Sequence, residues 1–282
     1  MKMAAIQELS GLQNRIAQLV PRCSGPSCRK RPLSRIVSWK QLGYFVGGRW
    51  FCTPECLQNA VKLEVLTLLN SHQNVAPRPT RIPLGLVLHS RGVITSEQLA
   101  LSLAEQKKSG GSIGEAVIKL GFADELQVTS AVASQWGHPV FRVKPGFTAV
   151  QIRIPHLLMD LYRMVPVHFT EAGSRLLMGF LRAPQHAALR TIEHMTLCNA
   201  IPCFVTPSGY SIIADQINQD ERDNEIVFER NTSASEIASV IRNYVLQSGA
   251  SEARVGRCRE YIWARVFGTK ATLDIMFRLE GN

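Results

Sequence analysis

The chain has 282 residues, enough for two or three small domains, and its 45% apolar and 19% charged residues exclude a chain that is disordered throughout. It has no run of 18 apolar residues, and residues 1–20 lack the pattern of a signal peptide, so we expect a cytoplasmic protein without membrane insertion. The net charge is +10, and the first 80 residues hold eleven Lys or Arg against three Asp or Glu, which leaves only +2 for the remaining 202. Either an acidic partner meets the first segment or these charges form a solvated basic surface.

The first predicted segment, residues 1–70, contains an amphipathic helix over 3–20 and then four cysteines in two close pairs. The pairs have the spacings Cys-x4-Cys and Cys-x3-Cys and comprise Cys23, Cys28, Cys52 and Cys56. In a chain without a secretion signal, such cysteines are typical of thiols or metal ligands rather than disulfides, and four thiolates can complete a tetrahedral Zn²⁺ site. The alternative is four reduced cysteines in the core or on the surface.

The surroundings of the second cysteine pair favour the zinc site. Arg49–Phe51 is predicted as a strand, Thr53 can cap the following helix, and Pro54 suits its first turn. This arrangement resembles a treble-clef zinc finger, and a segment with so few apolar residues is expected to need a metal to fold. The other cysteines are interpreted as packing residues; they are Cys198, Cys203 and Cys258.

Basic and aromatic residues are interleaved within residues 22–49. The basic ones include Arg29, Lys30, Arg31, Arg35 and Lys40, and the aromatic ones are Trp39, Tyr44 and Phe45, followed by Trp50. Lys and Arg bind phosphates and aromatic rings stack on bases, so this stretch is a candidate nucleic-acid contact. Zinc fingers also bind proteins, and no base-reading helix is recognisable, so a protein partner is the alternative.

The pattern of the remaining sequence predicts an α+β protein, with four further segments after residue 70. In chain order they are a linker (71–82), a domain (83–217), a polar and acidic linker (218–232), and a short helix with antiparallel strands (233–282). The domain 83–217 divides into a tandem helix-turn-helix repeat, 83–141, and a small α+β module, 142–217, against which the repeat is expected to pack.

Two copies of one helix–glycine–helix pattern occur at a constant offset of 29 residues. The matched positions are Leu84 with Ile113, Gly85 with Gly114, Leu88 with Val117, Gly92 with Gly121, Leu99 with Val128, Leu103 with Val132, and Gln106 with Gln135. The pair Leu99 and Leu103, like its equivalent in the second copy, lies at i,i+4 on one helix face. Each helix is therefore expected to bury an apolar stripe, and the two copies to pack together.

Local signals agree between the copies. Each second helix begins with a capping box, formed by Thr95 with Gln98 and by Asp124 with Gln127. The two matched turn glycines suit helix ends, where a positive φ is needed. Each copy is therefore predicted as a helix, a glycine turn and a second helix.

The repeat resembles the tandem motif of cyclic-di-GMP-binding N-terminal domains in type II secretion and type IV pilus ATPases, the MshEN-type or GspE N-terminal domains. That motif runs Arg-Leu-Gly, an apolar pair, Gly, Leu, Leu and Gln in two 24-residue copies, and residues 107–111 supply its five-residue spacer here. The resemblance continues more weakly through residues 142–217. Residues 233–279 are similar to the opening of the ATPase's next domain.

In that family the Leu-Gly backbone and the Arg and Gln side chains contact the dinucleotide, and apolar residues lie along it. The resemblance implies a ligand site formed by Leu84, Gly85, Leu99, Leu103, Gln106, Ile113, Gly114, Val128, Val132 and Gln135. The two motif arginines are replaced by Pro83 and Ser112. Candidate replacements are Arg81, His89, Arg91 and Lys108. The alternative is a repeat that serves only as an interaction fold.

The sequence contains no GxxxxGK[ST] phosphate-binding loop, and no nucleophile–base set or carboxylate pair is evident, so no enzymatic activity is expected. We predict a non-enzymatic regulator or adaptor related to the ATPase N-terminal domains, with secretion or pilus machinery as its partner and cyclic-di-GMP as its candidate ligand. The alternative is a zinc-dependent nucleic-acid-binding regulator that uses the repeat for sensing or dimerisation.

Overall fold

The computed structural model describes residues 22–28, 43–71, 81–148, 150, 152–171, 174–220, 224–230 and 232–279. The predicted helix over 3–20 and most of the linker 71–82 lie outside the described residues. The chain divides into two compact units. We call Met1–His72 with Asp223–Asn282 the sheet unit, and Gln73–Arg222 the repeat unit.

The sheet unit has two long helices and six strands among its described residues. In chain order these are β1 (Tyr44–Val46), β2 (Arg49–Phe51), α1 (Pro54–Asn70), β6 (Glu225–Phe228), α9 (Ala234–Gln247), β7 (Glu252–Cys258), β8 (Tyr261–Phe267) and β9 (Thr272–Arg278). The strands form one sheet in the order β2-β1-β7-β8-β9-β6. The pairs β1–β7 and β6–β9 are parallel, and the other neighbours are antiparallel.

The first and last parts of the chain share this sheet. The sequence predicts 1–70 and 233–282 as separate segments, whereas β1 pairs with β7 and its Phe45 N–H donates to Ser251 O at 2.7 Å. Gln58 on α1 also donates to Ser239 Oγ on α9 at 2.8 Å. The described cysteine-bearing segment is therefore built into the same unit as the C-terminal strands.

One face of the sheet carries the core of the sheet unit. Because side chains alternate along a strand, every second residue of β7, β8 and β9 points to α1 and α9. The buried residues include Leu57, Val61 and Val65 from α1, Ile237, Ile241 and Val245 from α9, and Ile262, Ala264 and Val266 from β8. The three predicted C-terminal strands are confirmed, and their antiparallel register pairs Val255 with Ala264 and Ala264 with Ile275.

The opposite face of β8 and β9 is also buried and contains an ion pair. Arg265 donates to both carboxylate oxygens of Asp274, at 2.8 and 3.0 Å, and Trp263 Nε1 donates to the same carboxylate at 2.8 Å. Asp274 is fully buried and Arg265 is 5% exposed. A charge at this depth is tolerated only when paired and hydrogen-bonded, so these three side chains are mutually dependent.

The acidic stretch 218–232, predicted as a linker, contains β6. This strand pairs in parallel with β9, and Phe228 stacks on Phe277 with ring centroids 5.0 Å apart. The strand has only four residues and stands among acidic side chains, so its two inward apolar residues give too little alternation to be recognised from sequence.

The repeat unit begins with four helices, two for each copy of the pattern. They are α2 (Leu84–Ser90), α3 (Ser96–Ser109), α4 (Ile113–Lys119) and α5 (Glu125–Trp136). Both predicted capping boxes are present, at Thr95 and Asp124. Gly92 and Gly121 have φ of 69° and 70°, as a chain reversal after a helix requires.

The second half of the repeat unit is a small α+β module. Its elements are α6 (His156–Tyr162), β3 (Met164–Thr170), β4 (Arg175–Phe180), α7 (His186–Thr196), β5 (Asn199–Phe204) and α8 (Pro207–Asp220). The strands form a sheet in the order β3-β4-β5, antiparallel and then parallel. The predicted alternation of strands and helices is confirmed, while α8 was not predicted. The overall class is α+β, as expected.

The repeat packs with this module, as the sequence predicts. Glu125 on α5 accepts hydrogen bonds from Ser208 N at 3.0 Å and Ser208 Oγ at 2.6 Å, at the start of α8. Val140, four residues after the end of α5, forms an isolated bridge with Phe204 of β5. Among the described helices of both units, none is both long enough and apolar enough to cross a membrane.

Candidate functional site

The two copies of the repeat contact each other reciprocally. A Cβ placed on Gly85 would lie 2.6 Å from Leu99 Cδ1 in its own copy and 3.6 Å from Ile113 Cγ1 in the other. At the matched position, a Cβ on Gly114 would lie 3.0 Å from Val128 Cγ1 and 3.4 Å from Leu84 Cδ2. Both motif glycines are therefore explained by helix packing, whether or not a ligand binds.

The core between the copies is built from equivalent positions. Leu88 and Val117, which match in the repeat, are both fully buried. Ile94 and Ala123, also 29 residues apart, are buried beside them. The offset read from the sequence thus becomes a structural correspondence between two helix pairs.

The positions that hold arginine in the family motif are helix N-caps here. Pro83 precedes α2 without a side-chain cap, whereas Ser112 accepts a hydrogen bond from Glu115 N, and Glu115 returns one to Ser112 N. An arginine cannot accept these bonds because its side chain has only donors. Ser112 therefore stabilises the start of α4 instead of offering a guanidinium.

The ten residues of the implied ligand site differ in exposure. Leu84, Leu99, Gln106, Ile113, Val132 and Gln135 are half-buried, whereas Gly85, Gly114 and Val128 are buried. Leu103 is 45% exposed, so the predicted buried stripe on α3 is wrong at this residue. Its exposure leaves an apolar side chain on the surface of the repeat.

The two motif glutamines are not equivalent. Gln135 Nε2 donates to Ile82 O, the carbonyl just before α2. Within the described residues, the Gln106 side chain makes no hydrogen bond. Gln106 thus has its whole side-chain amide available for a ligand, while Gln135 has its oxygen and one N–H left.

The four cysteines of the sheet unit converge on one point. Their sulfur atoms all lie within 4.8 Å of one another, and Cys28 Sγ is 3.5 Å from Cys52 Sγ. A tetrahedral zinc–thiolate site with Zn–S bonds of about 2.3 Å needs sulfur atoms about 3.8 Å apart. The spacing therefore suits a tetrahedral metal ion.

Local structure explains why these sulfurs meet. Cys28 N donates to Gly25 O at 3.0 Å, which turns the first pair back on itself. Ser24 N donates to Trp50 O at 2.9 Å and so joins that turn to β2. Thr53 caps α1 by accepting from Cys56 N, with Pro54 at the first position, as predicted. The cluster is therefore formed by cysteines from three neighbouring parts of the chain: the turn, the end of the β1–β2 hairpin and the start of α1.

The chemistry of the cluster also favours a cation. Burial, followed by the neighbouring sulfurs of Cys28 and Cys23, raises the pKa of the Cys52 thiol. Burial is likewise the main cause that raises the pKa of Cys56. Because each neighbouring sulfur opposes a further negative charge, four thiolates can coexist here only with a bound cation.

The remaining predicted features lie apart from this cluster. Cys203 and Cys258 are buried, and Cys198 is half-buried. Burial raises the pKa of Cys203 to about 12, as expected for a packing thiol. The residues from Arg29 to Lys40 lie outside the described residues, so nucleic-acid binding remains a prediction.

Sequence comparison identifies relatives for part of the chain. The type IV pilus assembly ATPase PilB of Myxococcus xanthus is 27% identical over 115 residues, 40% of this chain and 20% of PilB. PilB of Thermus thermophilus is 21% identical over 129 residues, 45% of this chain and 14% of that ATPase. This chain contains a segment related to type IV pilus ATPases. The resemblance predicted from the repeat is thereby confirmed, and the related segment spans a fifth or less of the ATPases.

Comparison with solved structures gives weak overall similarity to MshE and XpsE, among others. The structure of MshE with cyclic-di-GMP matches at a TM-score of 0.39 and 21% identity, covering 48% of this chain and 99% of that one. The N-terminal domain of XpsE matches at 0.36 and 14% identity, covering 47% and 92%. No family model matches the chain.

Proposed function

We propose that this chain is a non-enzymatic regulator or adaptor of a secretion or pilus machinery, with the tandem repeat as its receptor for cyclic-di-GMP. Sequence relationship to pilus assembly ATPases supports the machinery as partner. The observation that carries the ligand is the repeat itself, in which two copies of the motif face each other through equivalent residues. A ligand with two identical halves matches a site with two similar halves.

The surface of the repeat has the groups that such a ligand needs. Leu103 is exposed and apolar, and the Gln106 amide makes no side-chain hydrogen bond within the described residues. A flat base can pack on Leu103, and a guanine or a phosphate can form a hydrogen bond with the Gln106 amide. Two lysines follow at the end of α3, Lys107 and Lys108, and both suit a dianionic ligand.

We also propose that Cys23, Cys28, Cys52 and Cys56 hold one structural Zn²⁺. The sulfur spacing and the turn, hairpin and helix that present the thiols support this assignment. All four positions are taken by protein thiolates, which leaves no open coordination site for catalysis. The metal would therefore stabilise the fold and take no part in a reaction.

Calorimetric titration of the full chain with cyclic-di-GMP tests the ligand. We expect saturable binding that Gln106→Ala weakens about tenfold, the loss of one good hydrogen bond to a charged or base partner. Gln106→Ala combined with Gln135→Ala should abolish measurable binding. Gln247→Ala, an exposed glutamine at the end of α9, is the control and should bind normally.

Two outcomes would overturn this function. Absence of heat and of any thermal shift up to about 1 mM ligand, a limit that corresponds to about 4 kcal/mol, would reduce the repeat to an interaction fold. Equal affinity in the wild type and the double variant would place the dinucleotide away from the motif glutamines.

A further inference from the structure

An arginine outside the motif is fixed at one end of the repeat. The guanidinium of Arg81 lies over the indole ring of Trp136, with Cζ 3.2 Å from the ring centroid. Its Nε donates to Gln135 O at 3.1 Å. Gln135 in turn bonds Ile82 O, so the segment before α2 and the end of α5 hold each other.

These two contacts of Arg81 leave the two terminal nitrogens of its guanidinium without a hydrogen-bond partner among the described residues. Within the described part of the chain, Nη1 and Nη2 of Arg81 make no hydrogen bond or ion pair. An arginine held flat on an aromatic ring has lost most of its side-chain freedom before any ligand arrives. Its two Nη atoms therefore form a pre-oriented pair of donors that lies in the plane of the group.

The other half of the repeat has different residues at the equivalent positions. With the 29-residue offset, Arg81 corresponds to Gly110 and Trp136 corresponds to Lys107. The helices keep the correspondence, because α2 contacts α5 across the copies and α4 contacts α3 in the same way. Only one half thus has an arginine stacked on an aromatic ring, and the other has a glycine and an exposed lysine at the two equivalent positions.

We propose that Arg81, stacked on Trp136, is the residue that reads one guanine of the dinucleotide and replaces the arginines missing at positions 83 and 112. This inference rests on the proposed function of the repeat. The guanine edge offers two acceptors, O6 and N7, which match two donors in one plane. Adenine offers one acceptor and one donor there, so Arg81 favours guanine over adenine.

The histidine next to this site adds no positive charge to it. His138 follows Trp136 by two residues, and burial, together with the positive charges of His186 and Arg81, lowers its pKa. Near neutral pH this imidazole is therefore uncharged and does not compete with Arg81 for an anionic ligand. Arg81 remains the fixed cation of this half.

The test compares Arg81→Lys with Arg190→Lys in the full chain. Arg190 is an exposed arginine on α7 of the same unit and is not a residue of the ligand site, whereas Arg81 is stacked on Trp136. Lysine keeps the charge and loses the planar pair of donors. Affinities for cyclic-di-GMP and cyclic-di-AMP are measured by calorimetry, and thermal unfolding is measured for each variant.

We expect Arg81→Lys to weaken cyclic-di-GMP binding at least about tenfold while changing cyclic-di-AMP binding less, so that the preference for guanine falls. Arg190→Lys should leave both affinities unchanged. Normal cyclic-di-GMP affinity in Arg81→Lys, even with reduced thermal stability, would make Arg81 only a link between α2 and α5. Equal losses for both dinucleotides would overturn the assignment to guanine. If the wild type binds neither, the proposed function fails together with this inference.

Discussion

Gly85 lies so close to Leu99 that a Cβ on residue 85 would be 2.6 Å from Leu99 Cδ1. At the matched position in the second copy, a Cβ on residue 114 would be 3.0 Å from Val128 Cγ1. Real Cβ atoms essentially never approach a carbon to 2.6 Å, so the first copy is packed more tightly than the second. This asymmetry predicts different tolerance to the same substitution.

Gly85→Ala should destabilise the repeat unit by about 1–3 kcal/mol, because the added methyl forces Leu99 out of its position. Gly114→Ala should cost less, since Val128 needs to move only a few tenths of an ångström. Equilibrium unfolding in urea measures both. Leu86→Ala is the control, because this residue of the same helix is 51% exposed. Equal effects at 85 and 86 would contradict the packing explanation.

The close contact also predicts coupling. If Leu99 is the obstacle, Leu99→Ala and Gly85→Ala should be non-additive, and the double variant should be more stable than the sum of the two single changes predicts. A double-mutant cycle gives this coupling directly. Additive effects would show that the alanine methyl meets another group.

The features predicted from sequence are those encoded within a few residues. The capping boxes at Thr95 and Asp124 and the turn at Gly92 depend on side chains three or four positions away, and all are present. The repeat offset was recognisable because each copy must present the same residues to the other. The convergence of four cysteines was predicted from two short spacings.

The features missed depend on contacts between distant parts of the chain. The pairing of Val46 with Ala253 joins residues about two hundred positions apart, and no local pattern in β1 specifies its partner. The stacking of Arg81 on Trp136 is hidden for the same reason. Leu103 was predicted inside from its spacing, but the helix face that it shares with Leu99 is covered at only one of the two residues.

The cysteine cluster predicts a metal content. The full chain should contain one zinc ion per molecule by elemental analysis, and Cys28→Ser or Cys56→Ser should reduce this below one. Cys198→Ser should keep the metal, because Cys198 belongs to the repeat unit and is not one of the four clustered cysteines. A metal-free wild type purified under reducing conditions would contradict the zinc assignment.

Removal of the metal should loosen the sheet beyond the cysteine segment. Cys52 directly follows β2, and β1 pairs with β7, so loss of zinc is expected to free the hairpin and expose one edge of β7. Amide hydrogen exchange after chelation should become faster in 44–51 and 252–258. Strands β3 and β4 in the repeat unit are the internal reference. Unchanged exchange in 252–258 would show that the hairpin holds its position without metal.

The buried ion pair between Arg265 and Asp274 predicts a large loss of stability when one of its charges is removed. Asp274→Ala should destabilise the sheet unit by about 3–5 kcal/mol, because Arg265 would remain buried without its carboxylate. Arg265→Met combined with Asp274→Leu should recover much of this loss, since no charge is then left unpaired. Urea unfolding of the wild type and of these two variants measures both effects. A double variant less stable than Asp274→Ala would contradict this explanation.

Hydrogen exchange of the full chain with and without cyclic-di-GMP tests the central claim most directly, because it reports both binding and location. We expect slower exchange at the starts of α2 and α4 and in residues 99–106 and 128–135, with β3 and β4 unchanged. No difference at saturating ligand, or protection confined to the sheet unit, would contradict the assignment of the repeat as the dinucleotide receptor.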